Sequence, residues 1–248
     1  MSSIHAAGML PPGYCRCLAC NPTARRAVSR RGFLASSASS ALVLGAAATL
    51  APYPARAQTA LAPDAALTQL MDGNARFVAG KLASFAEDLA ILKQNTVAKQ
   101  EPFAAVLSCA DSRVPVELIF DQSIGHVFVV RVAGNICTPE TIASLEYGAA
   151  ALGTAAILVL GHSGCGAVKA AIAGHEEPGQ ISALYAPLRA AVERAGPNLD
   201  AAIKANAEIQ ANLLRTASTV IAGLLAAGKI KVVAGYYDLA SGRVSLLA

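Results

Sequence analysis

From about residue 58 onward the chain alternates between two hydrophobic periods. Leu67, Leu70, Met71, Asn74, Phe77 and Val78 recur at intervals of three and four, which predicts an amphipathic helix. Asp64, just after Pro63, is its expected N-cap. A second helix is predicted over 85–98. The run FAAVLSC (103–109) is continuously apolar, the pattern of a strand covered on both faces. HVFVVRVA (126–133) is rich in β-branched residues and predicts the next strand. TPETIASLEYGAAALG (138–153) opens on a threonine cap with proline at the first helical position, has Glu140 in the first turn, and ends at Gly153. AAILVLG (155–161) is a third buried strand. Helices are predicted over 165–173 and, as a hairpin, over 181–195 and 199–227. IKVVAGYYDL (230–239) and RVSLL (243–247) close the chain as a β-hairpin turning at Ser241-Gly242.

Strands that alternate with helices predict an α/β fold. The expected core is a mostly parallel central sheet, about four parallel strands plus a C-terminal edge strand, flanked by helices. In such sheets ligands bind beyond the carboxyl ends of strands. Cys109 closes one predicted strand and His162 follows another, so two distant stretches, SCADSRV and GHSGCGAV, can meet there. No internal repeat is evident.

Charge divides the 248 residues in two. Residues 1–57 hold six of the 20 basic side chains and none of the 16 acidic ones. The formal charge of +4 therefore belongs to the leader; the remaining 14 basic and 16 acidic residues leave the body slightly acidic, with no nucleic-acid footprint. Residues 29–58, SRRGFLASSASSALVLGAAATLAPYPARAQ, have a positive start, an apolar stretch and an A-x-A end at Ala55-Arg56-Ala57. This is the anatomy of an export signal cleaved near Ala57. Arg30-Arg31 before Phe33-Leu34 resembles a twin-arginine signal, although Ala35 replaces the usual lysine. The expected division is thus a leader over 1–57 and one domain over 58–248, exported to the periplasm or beyond, with no stable membrane span in the mature chain. Cys15, Cys17 and Cys20 form a C-x-C-x2-C cluster without an obvious fourth ligand. It reads as part of an N-terminal extension, with metal binding as the alternative.

The chemistry concentrates in Cys109, His162 and Cys165. Two thiolates and an imidazole make a three-ligand zinc set with one tetrahedral corner open, as catalytic rather than structural zinc sites have. Singly, each has an ordinary alternative: a Cys109–Cys165 disulfide, a buried thiol, a core histidine. Asp111 and Arg113 add a carboxylate that a bidentate arginine can fix and keep ionised. Such a carboxylate can orient an attacking oxygen; alternatively, Asp111 itself takes the fourth metal position and closes the site.

CADSRV followed by GHSGCG resembles the β-class carbonic anhydrases. The likeness extends from LMDGNARF (70–77) through FVVRVAGN (128–135) and SLEYGAAALG (144–153) to YYDLASGRVSLL. The resemblance implies a lyase that hydrates CO2 reversibly to bicarbonate with one Zn2+ per subunit on Cys109, His162 and Cys165. It implies an orienting dyad at Asp111 and Arg113, and substrate contacts at Gln100, Phe128, Tyr147 and Gly166. The aliphatic wall position is Ala133, smaller than usual. Pocket residues come partly from a neighbouring subunit, which implies a homodimer or higher homo-oligomer. A bicarbonate regulatory site that includes tryptophan is not carried over, because this chain has no tryptophan. Three other readings stand beside this one: a COS or CS2 hydrolase on the same scaffold, a non-catalytic zinc protein, and a thiol redox protein, which would lack a C-x2-C pair. His126 and His175 read as exposed bystanders, and Cys137 as a structural or free thiol.

Overall fold

A computed structural model describes residues 59–84 and 89–247. The export signal, the cleavage point near Ala57 and the Cys15, Cys17, Cys20 cluster lie outside the described residues. Helix α1 spans Pro63–Val78 and α2 spans Leu89–Thr96. Strand β1 (Ala104–Ser108) leads through the short α3 (Val116–Ile119) to β2 (Val127–Arg131). Helix α4 (Pro139–Glu146) precedes β3 (Ala156–His162), and α5 (Gly166–Ala173) follows it. Helices α6 (Tyr185–Ala195), α7 (Leu199–Ala217) and α8 (Thr219–Ala226) lead to β4 (Lys231–Tyr237) and β5 (Val244–Leu246).

The sheet order is β2-β1-β3-β4-β5. The first four strands are parallel, and β5 pairs antiparallel with β4. Every residue of β1 and β3 is buried, as the apolar runs AAVL and AILVLG require, and the polar tips Ser108 and His162 are buried with them. Successive side chains face opposite layers. Val106 and Leu158 pack with Leu70, Ile119 and Phe120, whereas Leu107 and Val159 pack with Leu145, Leu214 and Ile221. A third cluster, including Ile136, Val168, Leu188 and Ile203, surrounds Cys109 and Cys165. Helix α7 lies directly on the tip of β3: a Cβ added at Gly161 would stand 2.9 Å from Ile203 Cγ2 and 3.2 Å from its carbonyl oxygen. Glycine there lets the helix and the site strand touch.

Several boundaries differ from the sequence expectation. Asp64 is not the N-cap of α1. Ala62 holds that position in extended backbone, Pro63 begins the helix, and Asp64 lies in the first turn, paired with Lys231. The second predicted helix runs only over Leu89–Thr96; residues 85–88 lie outside the described residues. Thr138 caps α4 reciprocally with Thr141, but the α-helix ends at Glu146 and widens into a π-turn over Tyr147–Ala151. The widening falls where the segment crosses Phe128, whose ring would lie 3.1 Å from a Cβ at Gly148. The predicted helix over 199–227 breaks at Ser218. Its backbone is extended there, and its hydroxyl accepts from the Ile221 N–H and donates to Glu146. That local capping bond replaces the continued helix ladder. Among the described residues no helix is long and apolar enough to cross a membrane.

Candidate metal centre

The strand order turns outward in opposite directions from β1 and β3, so a crevice opens beyond their adjoining carboxyl ends. Cys109 directly follows β1, His162 is the last residue of β3, and Cys165 is the N-cap of α5. Their ligand atoms all lie within 4.8 Å of one another, and all three residues are buried. Both cysteines are free thiols, so the sulfurs are not joined.

His162 is oriented by its own neighbour. Its Nδ1 lies 3.0 Å from the Ser163 carbonyl oxygen. A carbonyl only accepts, so Nδ1 carries the proton and Nε2 presents a lone pair. That Nε2 is buried and has no hydrogen-bond partner among the described residues. An orphaned imidazole nitrogen facing two sulfurs is what a divalent ion would satisfy.

The Cys109 thiol is held well below its ordinary value, first because Cys165 donates a hydrogen bond to its sulfur, with further help from the Gly134 N–H, against the opposing effect of burial. Cys165 is pushed up by that same bond and by burial. A cation bound between the two sulfurs would replace that hydrogen bond and its proton. Two thiolates and one imidazole suit zinc among the common divalent ions.

Asp111 stands at the edge of this centre, with Oδ2 3.9 Å from His162 Nε2. Arg113 grips it in a fork: Nε to Oδ1 at 2.9 Å and Nη2 to Oδ2 at 2.7 Å. The Arg113 backbone N–H adds a third bond to Oδ1 at 2.9 Å. The Arg113 side-chain hydrogen bond is the main reason the Asp111 carboxyl sits far below the usual carboxylate range. Both oxygens are therefore engaged by Arg113.

Sequence reading missed Arg131. From the tip of β2 its Nε donates to the Cys109 carbonyl at 3.0 Å and its Nη2 to the Asp111 carbonyl at 2.5 Å, pinning the turn that carries both residues. A lone arginine in an otherwise apolar strand, VFVVR, was the available signal.

One chain brings together Cys109, His162, Cys165, Asp111, Arg113 and Gly166, the first residue of α5. It does not bring Gln100, Phe128 and Tyr147 to them. Phe128 pairs with Ala105 and Arg131 with Ser108, so Phe128 lies three residues, about 10 Å, back from the strand tip. Its ring centroid is 6.2 Å from that of Tyr147. Gln100 and Tyr147 are exposed along one open groove of about 480 Å³ beside the edge strand β2. Ala133 opens the loop after β2. His126 and His175 are both exposed, as expected. Cys137 is buried, and desolvation pushes its thiol up to about 12, so it remains a neutral structural group.

A buried thiol–imidazole group that could hold a metal ion, with an arginine-held carboxylate at its edge, is the equipment of an α/β enzyme, and comparison with known proteins narrows the class. The sequence model of the family described as carbonic anhydrase matches residues 104–244. A carbonic anhydrase of Mycolicibacterium smegmatis is 40% identical over 195 residues, covering 74% of this chain and 93% of that protein. Carbonic anhydrase 2 of Mycobacterium tuberculosis is 35% identical over 195 residues, covering 74% and 92% respectively. A tetrameric β-carbonic anhydrase from Sordaria macrospora superposes with a TM-score of 0.59 at 25% identity, covering 73% of this chain and 96% of that one. The chain belongs to the β-carbonic anhydrase family and is a lyase that interconverts CO2 and bicarbonate.

Proposed function

We propose that Cys109, His162 and Cys165 hold one zinc ion per subunit, and that hydration of CO2 takes place beside it. The observation that carries this reading is the orphaned, buried Nε2 of His162 converging with the sulfurs of Cys109 and Cys165, all within 4.8 Å of one another. When bound, zinc supplies a Lewis acid that makes water a nucleophile near neutral pH. Asp111, ionised and fixed by Arg113, accepts a hydrogen bond from the attacking water and so aims its free lone pair at CO2. Gly166 leaves the approach clear: a Cβ there would have no heavy atom within 4 Å. Phe128 and Tyr147 line an apolar berth for CO2, and Gln100 donates to an oxygen of CO2 or of departing bicarbonate.

These last three residues act on a second copy of the chain. Their placement along the β2 edge, well back from the centre in their own chain, supports a homodimer or a multiple of it. The tetrameric relative supports the same reading. Mixed dimers test it. A Cys109→Ser chain and a Gln100→Ala/Phe128→Ala chain are each inactive as homodimers. In the mixed dimer one site holds both lesions and the other holds none. Stopped-flow CO2 hydration is expected to recover to about half the wild-type rate per dimer. No recovery in verified mixed dimers would place the pocket and the metal in the same chain.

Residues 1–57 we read as an export signal on the strength of their sequence. N-terminal sequencing of periplasmic protein from an expressing bacterium is expected to start near Gln58; an uncleaved chain retained in the cytoplasm would refute this.

A further inference from the structure

Helix α7 carries two polar side chains that its apolar surroundings do not explain. Asn206 and Gln210 are one turn apart and almost completely buried, at 0% and 1% exposure. Buried amides persist where every group is bonded, and here they form a ladder. Asn206 Nδ2 donates to the Gly134 carbonyl at 2.8 Å. Gln210 Nε2 donates to Asn206 Oδ1 at 3.1 Å and to the Pro187 carbonyl at 3.2 Å. Gln210 Oε1 accepts from the Cys137 N–H at 2.8 Å. The Cys137 thiol in turn donates to the Gln210 carbonyl. Both amide orientations are fixed, because the Gly134 carbonyl only accepts and the Cys137 N–H only donates.

The ladder ends on a loop that reaches the metal centre. Gly134 and Asn135 both adopt left-handed backbone, with φ of 74° and 43°. The first favours glycine and the second is tolerated by asparagine. Such a pair turns one peptide group toward each side. The Gly134 carbonyl meets Asn206, while the Gly134 N–H donates to Cys109 Sγ at 3.4 Å. A backbone donor on a metal-ligating sulfur withdraws charge from it and fixes its direction.

We propose that Asn206 and Gln210 are positioning residues for the metal centre: through Gly134 they hold the N–H that bonds to the Cys109 sulfur. This inference rests on Cys109 being a metal ligand. Sequence reading could not find it, since two amides in a helix over 70 positions away carry no motif.

The test uses full-length enzyme, loaded with zinc or with cobalt(II). Asn206→Leu removes the donor to Gly134 at similar volume, and Gln210→Leu removes the support behind it. Asn206→Ser, a smaller change, serves if Asn206→Leu does not fold. Leu214→Ala on the same helix is the control for mere destabilisation, since Leu214 packs in the core on the α4 and α8 side, apart from the cluster around Cys109. In the Asn206 and Gln210 variants the thiolate-to-cobalt charge-transfer band is expected to move to longer wavelength. Zinc is expected to pass to a competing chelator roughly ten- to a hundredfold faster. Leu214→Ala should leave both readouts at wild-type values. An unmoved band in both amide variants, or an equal shift in Leu214→Ala, overturns the proposal. Cys109→Ser separates the two levels: if it leaves the charge-transfer band intact, Cys109 is not a ligand, and the metal reading fails with the proposal.

Discussion

Replacement of His162 by alanine is expected to empty the metal site and lower CO2 hydration by roughly 10⁴-fold or more, within the enhancements of at least about 10⁶ that enzymes supply. The residue is fully buried at the end of a fully buried strand. Its Nδ1 proton is committed to the Ser163 carbonyl, and its Nε2 has no other described partner. Alanine removes one of three donors and leaves only the two sulfurs. Two ligands do not retain zinc against a chelator as three do. The lost ring also leaves a cavity, costing about 1–3 kcal/mol of stability. Denaturant unfolding must therefore accompany the metal assay, to show that the variant is folded under assay conditions. Wild-type enzyme stripped of metal should regain activity when zinc is returned, and the His162→Ala protein should not. A folded His162→Ala enzyme with stoichiometric zinc and activity within tenfold of wild type would remove His162 from the centre.

The parts of this molecule that were legible in its sequence are those where one physical demand dominates. Strands β1 and β3 read correctly because a strand covered on both faces must be apolar along its length, and AAVL and AILVLG are, with polar residues only at the tips, Ser108 and His162. Their carboxyl ends then located the site, because the order β2-β1-β3 opens a crevice only there. The cap at Thr138 was legible from the threonine-proline pair that makes it. What failed was decided by tertiary contacts. Ser218 interrupts a good helical pattern because its hydroxyl serves both the Ile221 N–H and Glu146, a residue 72 positions away. The helix after Thr138 widens at Tyr147 where it meets Phe128. Asp64 looked like a cap, but Pro63 already fixes the first helical turn and Asp64 turns to Lys231. At the candidate centre, sequence offered Cys109, Asp111 and Arg113 through SCADSRV and His162 and Cys165 through the glycine-rich GHSGCGAV. Arg131 left only a lone charge in VFVVR as a signal, and nothing in the sequence offered Asn206, which reaches the centre through the Gly134 carbonyl, or Gln210, which stands behind Asn206.

Asp111→Asn and Arg113→Ala are each expected to lower kcat/KM by about 10²–10³-fold, and the double variant by no more than the worse single one. The non-additivity follows from the fork: Arg113 acts by holding both oxygens of Asp111, so removing either residue removes the same function. Arg113 is exposed and Asp111 part-buried, a pair of the kind that contributes modestly to folding, so neither variant should shift the unfolding midpoint by much. The pH dependence separates the dyad from the metal. Arg113 holds the Asp111 carboxyl well below its ordinary range. A group depressed in this way adds stability above its unfolded pKa and loses it only as pH falls through the lower folded value. Asp111 therefore stays ionised at every working pH and cannot generate a midpoint near neutrality. The wild-type rate is nonetheless expected to climb above neutral pH, because on the proposed centre two thiolates would offset the charge of a divalent ion, which would then acidify water less than an ion held by three imidazoles. Asp111→Asn should lower the plateau of that profile and leave its midpoint in place. Stopped-flow measurement of both enzymes over about pH 6–9 decides the matter. A midpoint that moves by a pH unit or more in the variant would make Asp111 the titrating group, and a wild-type profile flat down to about pH 6 would contradict the two-thiolate centre.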